Sequence, residues 1–165
     1  MAITKIQSES LNLADDFAFT GTITGAGESN TPAFLGIATS SAQQIQSYVG
    51  TNVQFPTEQI DTNNAFASNT FTVPSGGAGK YFLFGQLAFT TATDFDFLSI
   101  VFFKNGSQVN DGSPTANFNQ SATQVEWIAT LAEGDTVNLN CYHNSGSTLT
   151  VYEGRTWFGG YKITS

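Results

Sequence analysis

Few residues in this sequence are of the types that carry acid–base or nucleophilic chemistry. There is one histidine, His143, and one cysteine, Cys141, both within the stretch TVNLNCYH. The alternation of that stretch predicts a strand in which Cys141 is a small buried apolar residue, with His143 as a surface or capping residue at the strand end. No nucleophile-elbow motif is present, although a Ser-His-Asp arrangement of distant residues stays open. The sequence therefore predicts no catalytic residue.

Metal and carboxylate chemistry is equally sparse. One cysteine and one histidine cannot form a Cys/His zinc motif, and a single cysteine cannot form an intrachain disulfide. None of the acidic pairs has a context that would set two carboxylates at the separation required for glycoside hydrolysis. None lies in a multi-ligand calcium loop either, so solvated acidic turns are favoured and no cofactor is predicted. The pairs are Asp15/Asp16, Asp94/Asp96 and Glu133/Asp135.

The two tryptophans, Trp127 and Trp157, have a side chain that can stack on sugars. Both lie in strand-like stretches, QVEWIATL and TWFGGYKI. Tryptophans in alternating strands more often fill a core or an interface, because their large apolar surface is stabilising when buried. We favour core or interface positions for both.

Two apolar runs near the middle of the chain determine the predicted architecture. KYFLFGQLAF begins at Lys80 and FLSIVFF ends at Phe103, and both have the length and composition of strands. Each run is apolar on both faces, and the polar stretch TTATDFD between them is predicted to be a turn. No amphipathic helix is evident to cover the second face. We therefore expect an all-β sandwich that covers one sheet face with further copies of the chain.

The rest of the chain alternates between strand patterns and turn residues. The strongest local signal is Lys104-Asn105-Gly106-Ser107, because Asn-Gly suits the positive φ angles of a type I′ hairpin turn. The stretch from Asn110 to Ala122 is predicted to be a polar loop or an irregular edge. Residues 1–31 are predicted to form an extended N-terminal arm, and residues 32–165 the sandwich domain. Further strands are predicted in AFLGIAT, QIQSYV, TNVQF, NTFTV, QVEWIATL, TVNLNCYH, TLTVYE and TWFGGYKI.

Charge and composition limit the partners. The 165-residue chain has a formal net charge of −8 and five scattered basic residues, so nucleic acid and anionic membrane are disfavoured. Charged residues are only 11% of the chain, which suits an extracellular or particle-borne protein whose surface is rich in Ser, Thr and Asn. No apolar run reaches membrane-spanning length, and the first residues lack a signal-peptide core. We expect no membrane insertion. If the protein acts outside cells, we expect it to leave by lysis, on a particle, or with a leader that is missing from this sequence.

The order of several short motifs resembles the globular C1q domain of the C1q/tumour-necrosis-factor superfamily. The resemblance covers roughly residues 33–165. It implies a ten-strand jelly roll that assembles as a compact homotrimer, with the Tyr81 and Tyr161 strands in the inner sheet near the three-fold axis. The motifs are Phe66, Phe71-Thr72-Val73-Pro74, Gly79-Lys80-Tyr81-Phe82, Phe103-Lys104-Asn105-Gly106, Leu131-Ala132-Glu133-Gly134-Asp135-Thr136-Val137 and Phe158-Gly159-Gly160-Tyr161.

The shared residues are carried over as determinants of fold and assembly. Three copies of Asp94 and Asp96 near a trimer axis are the only calcium candidates, because some C1q domains bind calcium in their loops. Candidates for the trimer interface or the fold are Tyr81, Phe82, Phe84, Phe158 and Tyr161. The turn residues that define the fold are Asn105, Gly106, Gly134 and Asp135.

Residues 1–31 lack the collagen stem usual in animal C1q proteins. Their sequence LNLADDFAFTGTITGAG is similar to the N-terminal arm of structural proteins of marine bacteriophages, especially those infecting cyanobacteria. The first hypothesis is thus a non-enzymatic virion protein, a trimeric fibre, decorating or host-receptor-binding module that contacts other virion proteins through its arm. Loops 110–122 and 143–148 would contact a host glycan or protein. The alternatives are a secreted cellular recognition module and an enzyme that depends on His143.

Overall fold

The computed structural model describes residues 31–39, 43–95, 97–111 and 118–164. All regular structure in these residues is β-strand, which confirms the all-β prediction. These residues contain no helix of the length and hydropathy needed to cross a membrane. The strands are β1 Ala33–Ile37, β2 Gln44–Ile45, β3 Thr51–Asn52, β4 Thr57–Asp61, β5 Phe66–Ala67, β6 Thr70–Thr72, β7 Gly79–Phe95, β8 Leu98–Lys104, β9 Ser107–Asp111, β10 Phe118–Leu131, β11 Thr136–His143, β12 Leu149–Thr150 and β13 Trp157–Thr164.

Two antiparallel sheets form the sandwich. The first sheet has the strand order β10-β7-β13-β1-β4, and the second has the order β5-β6-β11-β8-β9, with β3 also pairing with β11. Strands β2 and β12 form a small separate ladder. The last strand, β13, lies between β7 and β1, so the first sheet joins both ends of the described chain. The predicted jelly-roll class is confirmed, although several of its strands are only two or three residues long.

Aromatic rings fill the space between the sheets. Phe34 stacks on Phe71 with ring centroids 4.4 Å apart and on Phe66 at 5.2 Å, and Phe158 contacts Phe34 edge-on at 4.9 Å. Each ring buries apolar surface between the two sheets, so the aromatic cluster packs β1 and β13 of the first sheet against β5 and β6 of the second. The core also contains the fully buried side chains of Ile45, Val53, Leu83, Leu87, Phe89, Leu98, Ile100, Phe102, Val137 and Leu139.

The polar stretch after Phe89 is a strand, and the predicted turn there is wrong. Strand β7 continues to Phe95, and Phe95, Asp94 and Thr93 pair with residues 118–120 of β10. Of the two alternatives for residues 110–122, a loop is wrong from Phe118 onward, where β10 begins. The irregular edge is confirmed there, because β10 is an edge strand whose register shifts between Gln120 and Ala122. Residues 93–95 and 118–120 pair through backbone hydrogen bonds. Such pairing does not require alternating apolar side chains, so the sequence pattern did not indicate it. The chain then enters the second sheet with β8.

The segment from residue 43 to 61 also differs from the prediction. QIQSYV and TNVQF contribute only two strand residues each, whereas Thr57–Asp61 forms strand β4, which was not predicted. Tyr48 has a φ of 65°, which ends any extended run at that point. Strand β4 is the edge of the first sheet and three of its five residues are exposed. An edge strand with little burial lacks the apolar alternation by which strands are recognised.

Candidate assembly surface on the first sheet

Large apolar side chains lie in two neighbouring rows on the outward face of the first sheet, and polar residues such as Glu126 and Thr130 lie beside them. Ile128, Phe82, Tyr161 and Ala33 are register partners on four neighbouring strands, β10, β7, β13 and β1. The side chain of Ile128 is 68% exposed and that of Tyr161 is 39% exposed. The Phe82 ring is half-buried and lies 5.8 Å from the Tyr161 ring, centroid to centroid. These side chains form a continuous row of apolar surface across the sheet.

The next row depends on a glycine. Phe84, Gly159 and Leu35 are register partners, and a Cβ added at Gly159 would lie only 2.7 Å from Cζ of Phe84 and 3.0 Å from Cδ1 of Leu35. The missing side chain lets the Phe84 ring lie across β13. Phe84 then lines a depression of about 300 Å³ together with Leu35, Ile37, Gln59, Gly154 and Trp157. We call Leu35, Phe82, Phe84, Ile128, Trp157 and Tyr161 the apolar face.

The five predicted interface or fold residues fall into two groups. Tyr81 and Phe158 are fully buried in the core of a single chain. Burial raises the pKa of the Tyr81 hydroxyl to about 12, and that hydroxyl donates a hydrogen bond to the Gly77 carbonyl. These two residues therefore act within the sandwich. The other three, Phe82, Phe84 and Tyr161, lie on the apolar face, where alternation of side chains along β7 and β13 places them.

The four predicted turn residues join two neighbouring hairpin ends. Asn105, Gly106 and Gly134 have φ angles of 51°, 78° and 81°, as type I′ and related turns require. The Asp135 carboxylate lies 2.7 Å from Nζ of Lys104 and accepts hydrogen bonds from the Asn105 side-chain amide at 2.7 Å and the Ala132 backbone amide at 2.8 Å. The hydrogen bond from Lys104 and, to a smaller extent, the one from Asn105 lower the pKa of Asp135 to about 2. The role of this carboxylate is structural.

His143 is fully buried, so the surface alternative of its prediction is wrong, whereas the capping alternative fits the 3.4 Å hydrogen bond that its Nδ1 accepts from the Ser145 amide. Its Nε2 donates to the Ile45 carbonyl at 3.2 Å, its Nδ1 lies 3.1 Å from Oγ of Ser145, and its ring packs edge-on against Phe89. The residue is the last of β11, and segment 43–50 covers it. The sequence could not show this cover, because Ile45 is 98 residues away. Both ring nitrogens face protein groups, which leaves no nitrogen directed at a substrate.

Cys141 is buried, as predicted, and burial raises the pKa of its thiol to about 12. A thiol with so high a pKa is a poor nucleophile at neutral pH.

The two tryptophans occupy different environments. Trp127 is partly buried against the core and stacks on Phe102 at 6.0 Å, which confirms its predicted core position. Trp157 lies on the apolar face.

The calcium candidates remain a prediction. Asp96 and the side chain of Asp94 lie outside the described residues. Within the described ranges, no three His, Cys, Asp or Glu side chains come close enough together to hold a metal ion.

Comparison with solved structures identifies the fold. The globular domain of zebrafish complement 1qA protein superimposes with a TM-score of 0.56 and 20% identity, over 80% of this chain and 97% of that one. Murine APRIL gives a TM-score of 0.60 with 13% identity, covering 79% and 98% of the two chains. Eiger TNF from S. frugiperda gives 0.60 with 10% identity, covering 81% and 92%. No protein-family model matches the chain, and no curated protein matches its sequence.

Topology and these neighbours together define the class of the protein. The described sandwich has the C1q/TNF-like jelly-roll fold. The matches cover nearly the full length of each solved domain, so the likeness extends to the whole sandwich. At these identities the likeness shows the fold alone, because one fold hosts many unrelated functions.

Proposed function

We propose that the chain is a non-enzymatic recognition module that assembles into a homotrimer through its apolar face. The observation that carries the proposal is the exposure of Ile128 beside Phe82 and Tyr161 on one sheet. Soluble monomers rarely leave a contiguous patch of large apolar side chains in water. Burial of one such side chain stabilises a contact by about 1.5–3 kcal/mol, and each further copy of the chain buries the whole row.

The resemblance to C1q domains favours three copies over two. The apolar face is formed by strands on both sides of β13, and the C1q resemblance places the corresponding strands around a three-fold axis. A trimer would direct three identical sets of loops toward one partner. Three weak sites on one rigid body gain avidity without new contacts, which is the advantage of such a recognition module. The low share of charged residues, 11% of the chain, supports an extracellular location.

The test of assembly is the substitution Ile128→Asp. This side chain is the most exposed of the large apolar residues described, so its replacement leaves the core intact. We expect the wild-type chain to sediment as a trimer, and Ile128→Asp to sediment as a folded monomer with an unchanged circular dichroism spectrum. The matched control is Val109→Asp, which adds the same charge at an exposed apolar position of β9, on the other sheet.

Two results would contradict the proposal. One is a wild-type chain that sediments as a monomer at concentrations well above micromolar. The other is a trimer that both substitutions leave intact, since the apolar face would then not be the contact surface.

A virion protein is a second candidate, favoured by the resemblance of residues 1–31 to arms of phage structural proteins. Those residues lie outside the described part of the chain, as does most of the proposed loop 110–122. On this hypothesis the arm anchors the trimer to other virion proteins, as a tail fibre or decorating protein. Antibody against the chain should label phage particles in electron micrographs, and capsid and tail genes should flank its gene. A secreted cellular module predicts unlabelled particles and a leader or collagen stem encoded upstream.

A further inference from the structure

The second sheet holds a cavity on the side of the sandwich opposite the apolar face. Its volume is about 250 Å³, and it lies where β8 and β11 run side by side. Because it belongs to the other sheet, trimer formation through the apolar face leaves it open. Its principal lining residues are Phe97, Ser99, Val101, Phe103, Asn140 and Tyr142.

Two aromatic rings stand at the cavity with part of their surface in solvent. Phe97 and Tyr142 are each 37% exposed, and their rings meet edge-on with centroids 5.8 Å apart. The backbone of Phe97 is fixed by Asn144. The side-chain oxygen of Asn144 accepts from the Phe97 backbone amide at 2.8 Å, and the Asn144 backbone amide donates to the Phe97 carbonyl at 3.1 Å. The rings are thus presented by anchored backbone, and ordering them on binding costs little conformational entropy.

Polar groups without partners face the same cavity. Ser99 is only 5% exposed, yet its hydroxyl forms no hydrogen bond with any described residue. Every described buried side-chain nitrogen or oxygen that is closed to solvent has a partner, so the Ser99 hydroxyl must open into the cavity. The half-buried Asn140 amide likewise forms no side-chain hydrogen bond within the described ranges. Both groups are open to the cavity, so water can hydrate them in the free protein and a ligand hydroxyl can take the place of that water.

We propose that this cavity binds one neutral sugar residue of a glycan. A pyranose ring has an apolar C–H face that stacks on aromatic rings, here Phe97 and Tyr142, and a rim of hydroxyls that bond to Ser99 and Asn140. A cavity of about 250 Å³ is at the small end for ligand pockets, which suits one ring rather than a long chain. None of the described residues that line it is charged, and the net charge of −8 disfavours acidic sugars.

The inference rests on the proposed recognition function for its biological meaning, since a trimer would present three such sites. The cavity itself is complete in one chain, so its binding is testable separately from assembly. The probes are the methyl glycosides of galactose, N-acetylglucosamine and mannose, titrated into the isotope-labelled full chain by NMR. We expect one of them to shift the signals of Ser99, Asn140 and Tyr142.

Two variants and one control locate the site. Tyr142→Ala removes a stacking ring and Ser99→Val removes the buried hydroxyl, and each should weaken binding about tenfold or more. Tyr152→Ala is the matched control, because Tyr152 is 41% exposed but lies outside both the cavity and the apolar face, and it should bind as the wild type does.

Failure of all three probes to bind overturns the sugar site, as does binding that both Tyr142→Ala and Ser99→Val leave unchanged. Association of trimers through this face, abolished by Tyr142→Ala, would also overturn it by showing a second copy of the chain as the occupant. Sugar binding by a wild-type chain that sediments as a monomer would support the cavity while refuting the trimer.

Discussion

At the scale of single residues, His143 links the second sheet to segment 43–50. Its imidazole donates to the Ile45 carbonyl and lies against the Phe89 ring, away from solvent. Desolvation by burial lowers the pKa of His143, since a buried imidazolium is costly. The folded state therefore favours the neutral imidazole of His143, and the contact between His143 and segment 43–50 depends on pH.

Stability should therefore fall in mild acid. The pKa of His143 is lower in the folded state than in the unfolded chain, where it is about 6.5, so the unfolded state binds the proton more tightly. The contribution is complete above that pH and is lost as the pH falls through the folded value. Urea unfolding between pH 7.5 and 5 should show the loss, and His143→Gln, which keeps a donor for Ile45, should show less of it. Identical pH profiles for both chains would refute this role.

Asp135 supports a second residue-level prediction. Asp135→Ala removes the acceptor of three hydrogen bonds at the hairpin ends and should cost about 1–3 kcal/mol of unfolding free energy at neutral pH. Because the pKa of Asp135 is lowered to about 2, its contribution is present above about pH 4 and disappears as the pH falls toward 2. Chemical denaturation at both pH values checks this. Glu153→Ala, at an exposed carboxylate, is the control and should change stability little.

At the scale of elements, β13 depends on two adjacent glycines that face opposite sides of the first sheet. Gly159 makes room for Phe84 on the apolar face, and Gly160 lies toward the core. A Cβ at Gly160 would lie 2.5 Å from Cδ2 of Leu83 and 2.8 Å from the carbonyl oxygen of Phe82. The second contact involves backbone, which cannot rotate away, so β13 and β7 would have to separate.

Gly160→Ala should therefore destabilise the chain by about 1–3 kcal/mol, the usual cost of overpacking a core. Thermal unfolding measures the change. Gly50→Ala is a matched control, because an added Cβ there meets nothing within 4 Å, and its melting temperature should stay near that of the wild type. Equal stability of the two variants would show that β13 has more freedom than its contacts indicate.

At the scale of the whole molecule, one side of β7 packs into the core and the other side faces outward. Tyr81 and Leu83 face the core, whereas Phe82 and Phe84 face outward with Ile128 and Tyr161. One strand thus belongs to the interior of a single chain and to the proposed contact between chains. Substitutions at neighbouring positions should then separate folding from assembly.

We expect Tyr81→Asp to abolish folding, because it places a carboxylate in the core and removes the hydrogen bond to Gly77. Phe84→Asp should instead give a folded monomer, since its ring lies on the apolar face. Circular dichroism reports folding and sedimentation reports assembly for both variants. A folded trimer from Phe84→Asp, or a folded chain from Tyr81→Asp, would contradict this division of the strand.

Much of the fold followed from local pattern in the sequence. Alternation along β11 placed Val137, Leu139 and Cys141 on the buried side, and the Asn105-Gly106 pair fixed a hairpin, because both depend on side chains a few residues apart. The two-faced apolar runs also indicated that one face of a sheet is left uncovered within the chain.

Only the tertiary structure decided which groups meet across long separations. It buried His143 beneath residues 43–50, paired polar residues 93–95 with 118–120, and placed Phe97 beside Tyr142 at the cavity. It also assigned Tyr81 to the core and Phe82 to the outside. A period of two tells which residues share a face but not which face is covered, because cover comes from strands far away in the sequence.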